Sequence, residues 1–147
     1  MEEVERIGIE EDPPRPAPVW VRLTCHCSGD ASGGLRRVRE VMVLVARARA
    51  SEWPGDEQWR ERLPAWFLES FAGYTLEDIL ENPDLWDFGS WLDAMRSPGW
   101  FWWSSNLKPE SWVIHLSAYT HPYSIGALEY LSRTAGASRV VIDEPKA

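Results

Sequence analysis

The sequence predicts a single α+β domain with the element order β-α-β-β-α-β and a group of short helices inserted after the first helix. Hydrophobic residues alternate every second position in 19–27 and 111–119, which is typical of strands. They recur every three or four positions in 35–53 and 125–134, which is typical of amphipathic helices. With 147 residues, 44% of them hydrophobic and 26% charged, the chain is large enough to fold around one core.

The first strand and the first helix differ in the spacing of their apolar residues. The strand at 19–27 has an apolar face with Val19, Val21, Leu23, Cys25 and Cys27, and an opposite face with Trp20, Arg22, Thr24 and His26. A glycine-rich loop follows. Helical spacing then runs from Leu35 to about residue 53, where a Pro-Gly pair ends the helix.

Two segments lie outside this regular pattern. Residues 1–16 are charged and rich in proline, so we expect a flexible tail before a domain of residues 17–147. Residues 54–97 contain several helical patterns interrupted by proline and glycine, and we interpret them as a helical insert.

Capping signals divide the insert into short helices. Thr75 can cap a helix that runs to Leu80, with Asp78 at the position that completes a capping box. Asn82 followed by Pro83 predicts the start of a further helix, because proline is favoured at the first helical position.

The second half of the chain completes the fold. Strands are predicted at 100–105, 111–119 and 139–143, with a helix at 125–134. The apolar face of the middle strand comprises Trp112, Ile114, Leu116 and Ala118. This element order is the split βαβ pattern of ferredoxin-like folds, with four antiparallel strands, the first and third as central neighbours, and two helices on one side. The fold hosts many unrelated functions and does not by itself assign one.

Charge and composition exclude several function classes. The net charge of −8 argues against a general nucleic-acid or anionic-membrane binder, because both need a basic surface. No apolar run is long enough for a transmembrane helix, and the acidic N-terminus does not resemble a signal peptide. We therefore expect a cytoplasmic protein with no membrane or nucleic-acid partner.

The Cys25-His26-Cys27 segment contains metal-ligand residue types but not metal-ligand geometry. In structural zinc sites, two to four residues lie between paired cysteines, whereas only His26 lies between Cys25 and Cys27. Adjacent strand residues point to opposite faces, so the cysteines extend the apolar face and His26 does not join them. We expect core cysteines, no metal site and no cofactor.

The sheet face opposite the helices is the first candidate binding surface. Ten tryptophans are too many for a small core to bury completely, so we expect some to remain half-exposed. Alternation places either Trp100 and Trp102 or Phe101 and Trp103 on this face. The candidate residues are Trp20, Arg22, His26, His115, Tyr119 and Trp102.

Such a face has two further explanations. A terminal segment, an inserted helix or a second subunit can cover it, since a large apolar patch indicates contact without naming the occupant. Alternatively, it binds a small ligand or performs catalysis, with His26 or His115 as a general base near Asp143 or Tyr119. No recognisable nucleophile, oxyanion hole or metal site accompanies these residues, so catalysis is the weaker interpretation.

The insert is the second candidate binding surface. Residues 56–96 contain ten carboxylates against three arginines, which leaves a net charge of −7. Aromatic residues interleaved with carboxylates suit docking to a basic protein surface. The candidate residues are Glu77, Asp78, Glu81, Asp84, Trp86 and Asp87.

These features favour a non-enzymatic protein-binding module. The leading hypothesis is an acidic inhibitor or immunity-type protein that occludes a basic site on a partner such as a toxin or nuclease. One alternative is a structural or oligomeric subunit, such as a homodimer that pairs through its open sheet face. Another is a small-ligand binder or enzyme that uses the Trp/His/Arg face of the sheet.

Overall fold

Four antiparallel strands form one sheet at the centre of the structure. The computed structural model describes residues 2–11, 20–83, 85–120 and 122–144. The strands are β1 (Trp20–His26), β2 (Trp100–Lys108), β3 (Ser111–Ala118) and β4 (Arg139–Asp143). Their order across the sheet is β2-β3-β1-β4, with β1 paired to both β3 and β4. The predicted α+β class is confirmed, and so is the central pairing of the first and third strands.

Helices account for most of the remaining described chain. They are α1 (Glu3–Arg6), α2 (Ala31–Ala50), α3 (Asp56–Arg62), α4 (Ala65–Leu68), α5 (Leu76–Glu81), α6 (Phe88–Arg96) and α7 (Gly126–Thr134), with a 3₁₀ turn after α4. Helix α2 begins before the predicted Leu35 because the Asp30 side chain accepts a hydrogen bond from Gly33 N–H at 2.9 Å. This cap satisfies a backbone donor at the helix start.

Helices α2 and α7 cover the apolar face of the sheet. The Trp112 ring on β3 meets α2 at Gly34, and Cys25 on β1 lies beside Ser132 on α7. The predicted apolar faces of β1 and β3 are buried as expected: Val21, Leu23, Cys25, Trp112, Ile114, Leu116 and Ala118. Val19 lies outside the described residues.

The insert between α2 and β2 packs around an aromatic cluster. The Phe67 ring lies 4.7 Å from the Trp91 ring and 5.1 Å from that of Phe71. Trp91 Nε1 donates a hydrogen bond to the Ala127 carbonyl at 2.9 Å, which ties α6 to α7. These contacts bury the aromatic side of the insert, whereas α5 contributes no buried residue.

One helix of the insert begins later than predicted. Asn82 ends α5, with its N–H donating to the Asp78 carbonyl at 3.1 Å, so it does not cap a helix that starts at Pro83. The next helix begins at Phe88, because the Asp87 side chain accepts a hydrogen bond from Ser90 N–H at 3.0 Å. The second predicted cap was therefore wrong by five residues.

Residues 2–11 are packed against the domain, where the sequence had predicted a tail. Ile7 is 1% exposed and belongs to the core. Glu3 pairs with Arg49 of α2 at 2.9 Å, and its other carboxylate oxygen accepts a hydrogen bond from Trp102 N–H at 2.8 Å. These contacts are long-range in sequence, so composition alone could not indicate them. Residues 12–16 of the predicted tail lie outside the described residues.

Candidate functional site

The sheet face that α2 and α7 leave uncovered is called here the outer sheet face. Alternation and strand register assign to it Trp20, Arg22, Thr24, His26, Phe101, Trp103, Val113, His115, Ser117, Arg139, Val141 and Asp143. Its aromatic part is contiguous. Trp103 lies edge-on to Trp20 with 5.1 Å between ring centroids, and Phe101 lies 6.0 Å from Trp103 and 6.3 Å from Tyr119.

Trp102 does not belong to the outer sheet face. It is 0% exposed and lies opposite Leu116, on the face that the helices cover. Phe101 and Trp103 take the outward positions instead, so the placement of Trp102 at the candidate site was wrong. Alternation alone left the choice between the two pairs open, and the register with β3 decides it.

The two candidate histidines are not brought together. His115 lies opposite Arg22, whereas His26 lies opposite Ser111. Four residues along a strand separate these positions, which is about 13 Å. His115 is only 7% exposed, and its Nε2 lies 2.6 Å from Asn106 Oδ1. This hydrogen-bonded, buried imidazole has a structural partner and does not form a shared site with His26.

The N-terminal segment covers the β2 side of this face. The Arg6 guanidinium carbon lies 3.4 Å from the centroid of the Trp103 ring, a cation–π contact. Ser104 Oγ donates to the Glu11 carbonyl at 2.7 Å. The outer sheet face is therefore partly covered by its own chain, which was one of the two explanations considered from the sequence.

The exposed part of the face lies toward β4 and the end of β3. Arg22 donates from Nε and Nη2 to Asp143 Oδ2, at 3.2 and 3.0 Å. Both side chains are more than half exposed, so this ion pair adds little to stability. Tyr119, which follows β3, is 61% exposed.

The acidic candidates in the insert have two different roles. Asp78 and Thr75 form the predicted capping box, with Asp78 N–H donating to Thr75 Oγ1 at 3.1 Å and Thr75 N–H to Asp78 Oδ2 at 3.0 Å. Asp87 caps α6, and the hydrogen bonds from Ser90 lower the pKa of its carboxyl below the ordinary value. These two carboxylates hold helix ends in place.

The other insert candidates differ in accessibility. Glu77 and Glu81 are exposed on α5 and make no ion pair within the described chain. Trp86 is half-buried, and its ring lies against Gly126 at the start of α7. Asp84 lies outside the described residues. Of the acidic candidates that are described, Glu77 and Glu81 are the two whose charge is free to act on a partner.

An exposed apolar pair on α5 was missed in the sequence analysis. Leu76 is 69% exposed and Leu80 is 78% exposed, and Tyr74 just before the helix is 47% exposed. Leu76 and Leu80 are four residues apart, so they lie on one side of the helix. The i,i+4 spacing of the two leucines after the Thr75 cap was the available signal in the sequence.

The cysteines are part of the core. Cys25 and Cys27 are both free and buried. Burial raises the pKa of the Cys25 thiol to about 12, so it stays protonated at neutral pH. Among the residues described, no group of three or more His, Cys, Asp or Glu side chains is placed to hold a metal ion. The helices in the same part of the chain are too short or too polar to cross a lipid bilayer.

Comparison with known proteins adds no relative. The chain matches no protein-family model, no curated protein and no solved structure.

Proposed function

We propose that this protein is a non-enzymatic protein-binding module that docks α5 against a basic surface of a partner, as an inhibitor or immunity-type protein does. The observation that carries this proposal is the exposure of Leu76 and Leu80, at 69% and 78%, on a helix that also presents Glu77 and Glu81. Exposed leucines are common individually, but two adjacent ones beside an exposed tyrosine form a patch that suits contact.

The apolar residues of α5 can supply affinity. Burying a leucine side chain that is otherwise in water contributes about 1.5–3 kcal/mol. Helix α5 has no buried residue of its own, so its apolar side is not used by the core. Docking of an amphipathic helix through positions i and i+4 is a recurring recognition mode.

The carboxylates of the insert can supply orientation and association rate. Residues 56–96 carry a net charge of −7, close to the −8 of the whole chain. A concentrated negative field steers a basic partner and disfavours acidic ones. This distribution supports a partner with a cationic site, such as a toxin or nuclease that binds phosphates.

The finer classification of the fold is part of the same proposal. We assign the domain to the ferredoxin-like split βαβ pattern, with α2 and α7 as its two helices and α3 to α6 as an insertion. The strand order β2-β3-β1-β4 and the antiparallel pairings support this assignment. A cytoplasmic location is also proposed, supported by the free thiols of the two cysteines.

The α5 contact is tested by removing its apolar side chains. The variant Leu76→Gln with Leu80→Gln keeps good helix formers and should preserve the fold. Wild type, this variant and the control Leu107→Gln, at a 37% exposed leucine on β2, are used to capture proteins from cells of the source organism. We expect a basic protein that is retained by wild type and control but lost by the α5 variant.

The dissociation constant is then measured with the purified partner and the purified variants. The affinity measured by calorimetry should fall about a hundredfold or more in the α5 variant, because two buried leucines are lost. A partner that binds the α5 variant as tightly as wild type would exclude α5 as the contact.

A further inference from the structure

The two edge strands of the sheet differ in whether their outward backbone groups have hydrogen-bond partners. At the β2 edge, Trp102 N–H donates to Glu3 Oε2 at 2.8 Å. Ser105 N–H donates to the Ile9 carbonyl at 3.1 Å. Leu107 N–H donates to Glu10 Oε1 at 3.1 Å. Successive outward donors of β2 are therefore satisfied by the N-terminal segment.

The β4 edge has no comparable cover within the described part of the chain. Strand β4 pairs with β1 on one side, and no described backbone or side-chain group hydrogen-bonds to its other side. An unpaired edge presents a row of N–H and C=O groups that can pair with another strand. Val141, in the middle of β4, is 38% exposed.

The sequence of β4 is complementary to itself when it is reversed. Arg139 and Asp143 lie at its ends and Val141 at its centre, all on the outer sheet face. In an antiparallel pair of two β4 strands centred on Val141, Arg139 lies opposite Asp143 of the second copy, and Asp143 opposite Arg139 of that copy. Val140 then lies opposite Ile142, so each position meets a suitable partner.

We infer that a second copy of this chain pairs with the outer edge of β4, and that the two sheets become one continuous sheet across a twofold axis. Such a contact is isologous and closed, so it gives a dimer and not a filament. Edge charges often prevent pairing when they are alike. Here they are opposite and spaced symmetrically about Val141, so pairing brings attraction at both ends of the strand.

The charged atoms needed for this contact are accessible. Both donors of Arg22 go to Asp143 Oδ2, so Asp143 Oδ1 is left to accept from a second copy. Arg139 is exposed and makes no ion pair with any described residue. Because a five-residue edge buries little area, we expect a weak dimer that forms as concentration rises.

This inference does not depend on the proposed docking of α5. The β4 edge lies at one side of the sheet, whereas α5 belongs to the insert between α2 and β2. Loss of the dimer would leave the α5 proposal intact, and the reverse also holds. A dimer would present two copies of α5 and could therefore engage a multivalent partner more strongly.

Two single charge reversals test the contact. Arg139→Asp places carboxylates opposite each other at both ends of the paired strands, and Asp143→Arg does the same with guanidinium groups. We expect each variant alone to stay monomeric from the low micromolar to the millimolar range, where wild type becomes dimeric. An equimolar mixture of the two should form a heterodimer, because each acidic strand end then meets an arginine.

Sedimentation equilibrium measures these masses, and a fluorescent label on one variant detects the mixed dimer. Lys108→Asp is the matched control, since it reverses an exposed charge on the other edge strand and should dimerise as wild type does. A wild type that is monomeric throughout would overturn the inference. A dimer that persists in both single variants would also overturn it, because the contact would then lie elsewhere.

Discussion

At the scale of single residues, Gly34 shows how packing overrides a local preference. Alanine normally replaces glycine in a helix with a gain in stability, because glycine loses more backbone entropy. At Gly34 of α2, however, an added Cβ would overlap the Trp112 ring. The helix can lie this close to β3 only because the position has no side chain.

We therefore expect substitutions of two helical glycines to have opposite effects. Gly34→Ala should lower the free energy of unfolding by about 1–3 kcal/mol, since the helix or the indole must shift. Gly89→Ala in α6 should raise it by about 0.5–1 kcal/mol, because its nearest neighbour, Asp87 Oδ2, would lie at an ordinary 3.5 Å. Urea denaturation of both variants measures the effects. A stabilised Gly34→Ala would show that α2 does not approach Trp112 so closely.

At the scale of elements, the strands were predicted well because one face of each is less exposed than the other. Strand β4 was predicted at its observed bounds, and β1 and β3 within one residue of theirs. Period-two alternation is a direct consequence of that burial. In β2 the same rule could not choose between the two aromatic pairs, and the register shift between Trp102 and Ser104 could not be read from the pattern.

Elements that depend on distant contacts were predicted poorly. Residues 2–11 have a disordered composition, yet they are packed through Ile7 and Glu3, whose partners are far away in sequence. For the candidate site, the sequence likewise predicted some features and missed others. The acidic character of the insert is a sequence property, whereas the exposure of Leu76 and Leu80 depends on how α5 projects from the rest of the insert.

Glu3 gives a test of whether the N-terminal segment belongs to the fold. Its side chain is 14% exposed, pairs with Arg49 and accepts the Trp102 N–H. Glu3→Ala should lower the free energy of unfolding by about 3 kcal/mol, because it removes the carboxylate shared by a mostly buried guanidinium and a backbone N–H. The matched control is Glu5→Ala, at an exposed glutamate of the same helix that makes no ion pair with any residue that the structure describes. Chemical denaturation should show almost no change for the control, and equal midpoints for both variants would indicate a detached tail.

At the scale of the whole molecule, the negative charge is concentrated in the insert. The insert carries nearly all of the net negative charge, and its aromatic residues Phe67, Phe88 and Trp91 are buried. The apolar part of its candidate contact is therefore mainly aliphatic, with Leu76 and Leu80 of α5 beside the exposed Tyr74, and it does not use the buried rings. Affinity and steering would come from different side chains of the same short helix, which allows them to be measured separately.

The contribution of charge to the association rate is tested by reversing two exposed charges of α5 while the helix-capping residues are kept. Glu77→Lys with Glu81→Lys changes the net charge by four units while leaving the Thr75–Asp78 capping box in place. The control Glu2→Lys with Glu110→Lys makes the same change at exposed glutamates outside the insert. The association rate with the captured partner is measured by stopped flow at low salt. It should fall markedly for the variant with lysines at 77 and 81, and less for the control. The association rate of the α5 variant should also depend less on salt. Salt screens exposed charges beyond about 8 Å at physiological ionic strength, and this variant has lost the attraction that salt would weaken. Equal rates and equal salt slopes for the two variants would mean that only the overall charge matters, and that α5 does not face the partner.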